Sequence, residues 1–185
     1  TVLLRGFARL PDLPPMSDVY HLKAGAIASY PMYRGLGRLV GMELVPVDLR
    51  GEGERLEAKV AAYREYHDQY DFIYFHVKKT DSAGEDGDFE AKVRAIEGFD
   101  AVLPDLLAPE PEVVAITGDH STPVSLRSHS WHPLPLLVHS RFLRPDPEMR
   151  FTERTCATGG LGHIRHLDVM PLLLANALKL KKFGA

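Results

Sequence analysis

The run FIYFHV at residues 72–77 is almost continuously apolar and rich in aromatic and β-branched side chains. A run of that kind buries both of its faces, as a central strand of a parallel sheet does. Comparable runs recur along the chain: KAGAIAS from residue 23, MELVPVD from 42, EVVAITG from 112 and PLPLLVHS from 133. Segments of helical periodicity lie among them. PMYRGLGRLVG (31–41) carries Pro31 at its start, and Leu56, Val60, Tyr63 and His67 share one face within 54–70. Phe89, Val93, Ile96 and Leu103 do so within 88–103, where acidic residues crowd the start, and a closing helix begins near Asp168. Strand alternating with helix predicts an α/β layer fold around a mainly parallel sheet, with RLPDLPP and LAPEPE as connectors.

Composition removes several classes of function. The 185 residues are 45% hydrophobic and 25% charged, which suits one domain with a substantial core. A net charge of -3 leaves no electrostatic footprint for nucleic acid or an anionic membrane, and the apolar runs are too short to span a bilayer. The single cysteine, Cys156, forms no internal disulfide, which points to a reducing, cytoplasmic setting. The opening TVLLRGF shows no signal peptide and suits either a chain entered partway through a fold or simple removal of an initiator Met before Thr1.

In open parallel sheets, ligands collect beyond the carboxyl ends of strands. Two strand-like runs end in an Asp-bearing loop there. FIYFHV leads into KKTDSAGEDGD, and VVAIT leads into GDHSTP. Asp119-His120 sets a carboxylate beside an imidazole, a pairing suited to a divalent transition metal, and SHSWHP adds His129 and His132 nine residues on. Each also has a plainer role: Asp119 as a turn cap, either His as a packing residue, and the acidic run from Asp81 to Asp88 as a solvated helix start. That run does not have EF-hand spacing. GGLGH (159–163) lacks the features of a phosphate loop and reads as a tight turn. Ser121, Ser125 and Ser128 lack the serine-hydrolase elbow, Cys156 has no catalytic partner pattern, and Lys78 and Lys79 are solvated or meet a phosphate.

Taken together, HVKKTDSAGEDGDFE, ITGDHSTP, SHSWHPLPLLV, GGLG, LKKFGA and LKAGAIASYPMYRGLGRLVGME resemble the archaeal-type cofactor-independent phosphoglycerate mutases of the alkaline phosphatase superfamily. The likeness runs over essentially the whole chain. It implies a three-layer αβα sandwich, alkaline phosphatase-like, with residues 21–185 as the C-terminal part of the metal-binding domain. Residues 1–20 would then close an inserted transferase domain and its linker.

The activity implied is interconversion of 2-phosphoglycerate and 3-phosphoglycerate, in glycolysis and gluconeogenesis, through a phosphoserine and without 2,3-bisphosphoglycerate. Two divalent cations (Mn2+, Mg2+ or Zn2+) are implied, with Asp81 and His129 as ligands of one and Asp119 and His120 of the other. Glu85 stands where the better-known branch has a His, either as an oxygen ligand or as a group behind the ligands. Arg5, in LLRG, resembles a substrate arginine, and Arg34 is a looser candidate whose plainer role is surface solvation. An early metal-ligand Asp and the nucleophilic Ser of the family have no counterpart here. The resemblance therefore implies a partner, the N-terminal half of the same enzyme, and an inactive fragment without it. Alternatives are another phosphotransferase or hydrolase of the superfamily, or a noncatalytic metal-binding fragment.

Overall fold

The computed structural model of the chain describes residues 9–50, 54–147 and 150–180. They divide between two units, one within Thr1–Lys78 and Gly98–Leu106, the other within Lys79–Glu97 and Leu107–Ala185. In the first, the chain passes through α1 (Met16–Tyr20), β1 (Ala24–Ile27), α2 (Pro31–Leu39), β2 (Glu43–Leu44), α3 (Leu56–Tyr66) and β3 (Phe72–Phe75). The sheet order is β2-β1-β3, all parallel, with Gly25 paired to Glu43 on one side and Ile73 on the other. A strand flanked on both edges is shielded from water, and every residue of β1 is buried.

Ile27, Val45 and Ala62 form the core of this unit, with Tyr63, Tyr70, Ile73 and Phe75 packed around them. Pro31 begins α2 as its fixed φ favours. The strand expected over MELVPVD pairs for only two residues, because Pro46 has no N–H to extend the ladder. The short helix α1, not anticipated from periodicity, buries Met16 and docks its amide on the Val40 carbonyl at 2.9 Å.

Beyond the carboxyl ends of β1 and β3 lies a buried ion pair. Lys59, fully buried on α3, donates to a Glu54 carboxylate oxygen and, at 2.8 Å, to the His76 carbonyl. Glu54 also accepts from the Ser29 hydroxyl at 3.3 Å and from the Lys78 amide at 3.0 Å. The pair thus satisfies two backbone groups beyond β3 and a side-chain hydroxyl beyond β1. Neither charge is solvated, so each depends on the other.

The second unit starts with α4 (Lys79–Asp86), a helix over a stretch that reads as loop in the sequence. Next, α5 (Phe89–Leu107) begins in this unit and continues through Pro104 into the first, four residues beyond the expected Leu103. Asp88 caps it, its carboxylate accepting from the Ala91 amide at 2.8 Å. β4 (Val113–Ile116) and β5 (Leu137–Ser140) occupy the two anticipated runs but pair antiparallel, Val113 opposite Ser140 and Ile116 opposite Leu137. Parallel pairing requires a crossover, usually helical, and residues 117–136 contain no helix. The chain therefore doubles back beside its own strand.

After α6 (Glu153–Cys156), capped by Thr152, GGLGH forms turns as expected. α7 (Val169–Asn176) then buries Leu174, and Asn176 accepts from the Ser140 hydroxyl at 2.7 Å. It ends ahead of the Lys-rich tail, with Leu178 in the left-handed region at φ 56°. No described helix is long and apolar enough to cross a membrane.

Replacing Lys59 with Met leaves Glu54 as an uncompensated buried carboxylate. The substitution is expected to lower unfolding free energy by about 3–5 kcal/mol in urea titration, with Lys59→Met/Glu54→Gln recovering part of the loss.

Candidate metal centre

The two carboxylates at the start of the second unit owe their placement to helix geometry. Asp81 and Glu85 are four residues apart on α4, so both project from the same face. The helix stops cleanly because Gly87 takes φ 74°. The Gly87 amide then donates to the Gly84 carbonyl at 3.1 Å, and the Asp88 amide donates to the Ala83 carbonyl at 3.0 Å. His129 Nε2 lies 3.5 Å from Asp81 Oδ1 and equally 3.5 Å from Glu85 Oε1.

The remaining groups come from the β4–β5 connection. Ser121 and Ser130 form an antiparallel bridge, the Ser130 amide donating to the Ser121 carbonyl at 2.8 Å. That pinch brings the neighbouring imidazoles together: the His120 and His129 rings stand 3.8 Å apart and 30° from parallel. The Thr122 hydroxyl, beside His120 in sequence, donates to Asp81 Oδ1 at 2.5 Å. Asp119 caps its own turn, accepting from the His120 amide at 3.0 Å, and its other oxygen lies 3.4 Å from His120 Nε2. Both roles considered for Asp119 are therefore compatible with one conformation.

Asp81, His120 and His129 each offer a donor atom, and these atoms lie within 4.8 Å of one another. Asp81 is the most sheltered, its side chain 14% exposed against 53% for His129. One carboxylate oxygen and two imidazole nitrogens, with Glu85 and Asp119 alongside, form a mixed O/N set without thiolate. Such a set fits a divalent cation of the manganese or zinc kind. A cation held there would supply positive charge able to polarise a bound substrate oxygen.

Other expected residues lie elsewhere or do other work. His132 hydrogen-bonds Ser130 at 2.8 Å and stacks on the exposed Trp131. Arg34 is half-buried in the first unit, its guanidinium donating to the Ala28 carbonyl at 3.1 Å beyond β1, so it is not merely solvated. Lys78 sits over the Tyr30 ring. Cys156 faces the Leu136 carbonyl from 4.0 Å. Arg5 falls outside the described residues.

Sequence reasoning did not single out Thr122, Lys92 or His166. Lys92 Nζ donates to the Thr122 carbonyl at 2.6 Å, and His166 Nε2 meets the Gly118 carbonyl at 3.1 Å, next to Asp119. Only Thr122 carried a signal, its place inside GDHSTP. The other two are distant in sequence and reach the site through tertiary packing.

Several known proteins are similar to this chain. The chain is 57% identical over 183 residues to a probable 2,3-bisphosphoglycerate-independent phosphoglycerate mutase of Thermus thermophilus, covering 99% of this chain and 45% of the relative. A relative of the same description from Deinococcus radiodurans is 57% identical over 184 residues, with 100% of this chain and 44% of the relative covered. The chain thus spans less than half the length of these curated relatives. Among solved structures, the PH0037 protein of Pyrococcus horikoshii superposes with a TM-score of 0.87 at 34% identity, covering 93% of this chain and 54% of that one. A cofactor-independent phosphoglycerate mutase from Thermoplasma acidophilum gives 0.62 at 23% identity over 90% of this chain and 40% of its own, a likeness of fold. Residues 2–176 match the Metalloenzyme superfamily, and with its alkaline phosphatase-like α/β fold the chain belongs to that family.

Proposed function

We propose that this chain is the metal-holding portion of a 2,3-bisphosphoglycerate-independent phosphoglycerate mutase, a cytoplasmic isomerase of glycolysis and gluconeogenesis. The observation that carries the reading is the convergence of Asp81, His120 and His129 in a chain whose curated relatives bear that description. In this reading Asp81 and His129 hold one divalent cation, with Glu85 in reach of it, and Asp119 and His120 hold the other. Residues 21–185 form the metal-binding part and residues 1–20 the end of an inserted domain.

The chain's own task is electrostatic. A phosphoryl group in transfer spreads charge over its oxygens, and catalysis consists largely of fixing compensating charge in advance. The carboxylates of Asp81 and Asp119 are carried on a capped helix and a pinned turn, so they are in place before substrate arrives. The serine that accepts the phosphoryl group, and a further acidic ligand, would come from the N-terminal half of the enzyme. Arg5 would grip the substrate carboxylate or phosphate, for which a guanidinium fork is suited. Arg34, already bonded to Ala28, is a weaker candidate for that role.

Two experiments test the reading. Calorimetric titration of the chain with Mn2+ is expected to show binding that falls about tenfold or more in Asp81→Asn and in His129→Ala, with circular dichroism unchanged. A chimera in which this chain replaces the matching portion of the Thermus mutase is expected to interconvert the two phosphoglycerates without added 2,3-bisphosphoglycerate and to lose turnover in EDTA. The isolated chain is expected to give none. A folded, Mn2+-binding chimera that releases inorganic phosphate instead would assign the chain to a hydrolase of the same superfamily. One that binds Mn2+ and acts on neither substrate would leave a noncatalytic metal-binding fragment.

A further inference from the structure

The Thr122 hydroxyl has one proton and two polar neighbours. At 2.5 Å stands Asp81 Oδ1, and the hydroxyl donates to it. Toward His120 Nδ1, 3.1 Å away, the same oxygen has only lone pairs left. The second bond then calls for its proton from the imidazole: in a neutral ring Nδ1 would carry hydrogen and the lone pair would fall on Nε2, the atom 3.4 Å from Asp119 Oδ2. Bonded protons would run in one direction, from His120 through Thr122 to Asp81.

Little freedom remains for Thr122 to break this order. The residue is 4% exposed. Its carbonyl takes the Lys92 ammonium at 2.6 Å, and α4 approaches so closely that a Cβ at Gly84 would collide with that carbonyl oxygen. Only glycine allows the approach, and the approach brings the hydroxyl up to Asp81. Without the hydroxyl, His120 Nδ1 would face Asp81 Oδ1 across 3.7 Å, too long for a good hydrogen bond.

We infer that Thr122 is a positioning residue that locks His120 in the Nδ1–H tautomer and turns its Nε2 lone pair toward Asp119, while holding Asp81 for His129. The inference rests on the reading of these four residues as cation ligands. It adds that one hydroxyl couples a ligand of one proposed cation to a ligand of the other. Groups that orient ligands in this way typically govern metal affinity by about 10- to 100-fold.

The test uses the 185-residue chain labelled with 15N-histidine, free of metal and at mildly alkaline pH, with His120 signals assigned by difference against His120→Gln. Wild-type His120 is expected to show the Nδ1–H tautomer, and an Nε2–H tautomer would overturn the inference without any variant being made. Thr122→Val, which keeps shape and removes the hydroxyl, is expected to lose the tautomer preference and to weaken Mn2+ binding about tenfold or more, whereas Thr122→Ser retains both. Equal affinity in wild type and a folded Thr122→Val would also overturn it. An Nδ1–H tautomer in a wild-type chain that binds no Mn2+ would sustain the hydrogen-bond order and contradict the metal reading, so the two failures are distinguishable.

Discussion

A single oxygen lies at the centre of the candidate metal site. Oδ1 of Asp81 receives the Thr122 hydroxyl at 2.5 Å and lies 3.5 Å from His129 Nε2 and 3.7 Å from His120 Nδ1. Each partner arrives by a separate device: α4 supplies the carboxylate, the close pass over Gly84 supplies Thr122, and the Ser121–Ser130 bridge supplies both imidazoles. A carboxylate only 14% exposed is costly to hold without compensating partners. The Thr122 hydroxyl supplies one donor, and a divalent cation bound there would supply positive charge.

The first unit meets a similar constraint with a different solution. There Lys59 and Glu54 neutralise one another out of reach of solvent, and their remaining hydrogen-bonding capacity goes to His76, Lys78 and Ser29 beyond the strand ends. In both places a sheltered carboxylate accepts from a donor, cationic in one case and hydroxylic in the other. Only the second leaves imidazole nitrogens close enough to share a ligand.

How much of this was legible depended on where the determining contacts lie along the chain. β1, β3, α2 and α3 are set by local patterning and form on the runs that the periodicity marks. Among the described residues, however, β1 is the central strand, whereas β3, expected at the centre, lies at the edge and is only partly buried. The continuous burial of β1 follows from its flanked position, as a parallel strand requires. By contrast, TDSAGEDG reads as loop because Asp, Ser and Gly favour turns, yet Gly87 closes a helix there and aligns Asp81 with Glu85. The direction of β5 was equally hidden, since an apolar run does not reveal whether its neighbour is parallel. Residue types in GDHSTP and SHSWHP pointed to the metal centre; Thr122, Lys92 and His166 became visible only through tertiary contacts. The family resemblance reached further than periodicity, and the Metalloenzyme superfamily match over residues 2–176 bears it out.

The most direct measurement of the central claim is an anomalous-scattering map from crystals of the chain soaked in Mn2+. The account predicts one peak between Asp81 and His129 and a second between Asp119 and His120, about 3.5–4 Å apart as in two-metal phosphoryl-transfer sites. Peaks only at surface carboxylates elsewhere, with the Asp81–Thr122–His120 hydrogen bonds unchanged and no density beside His129, would contradict it.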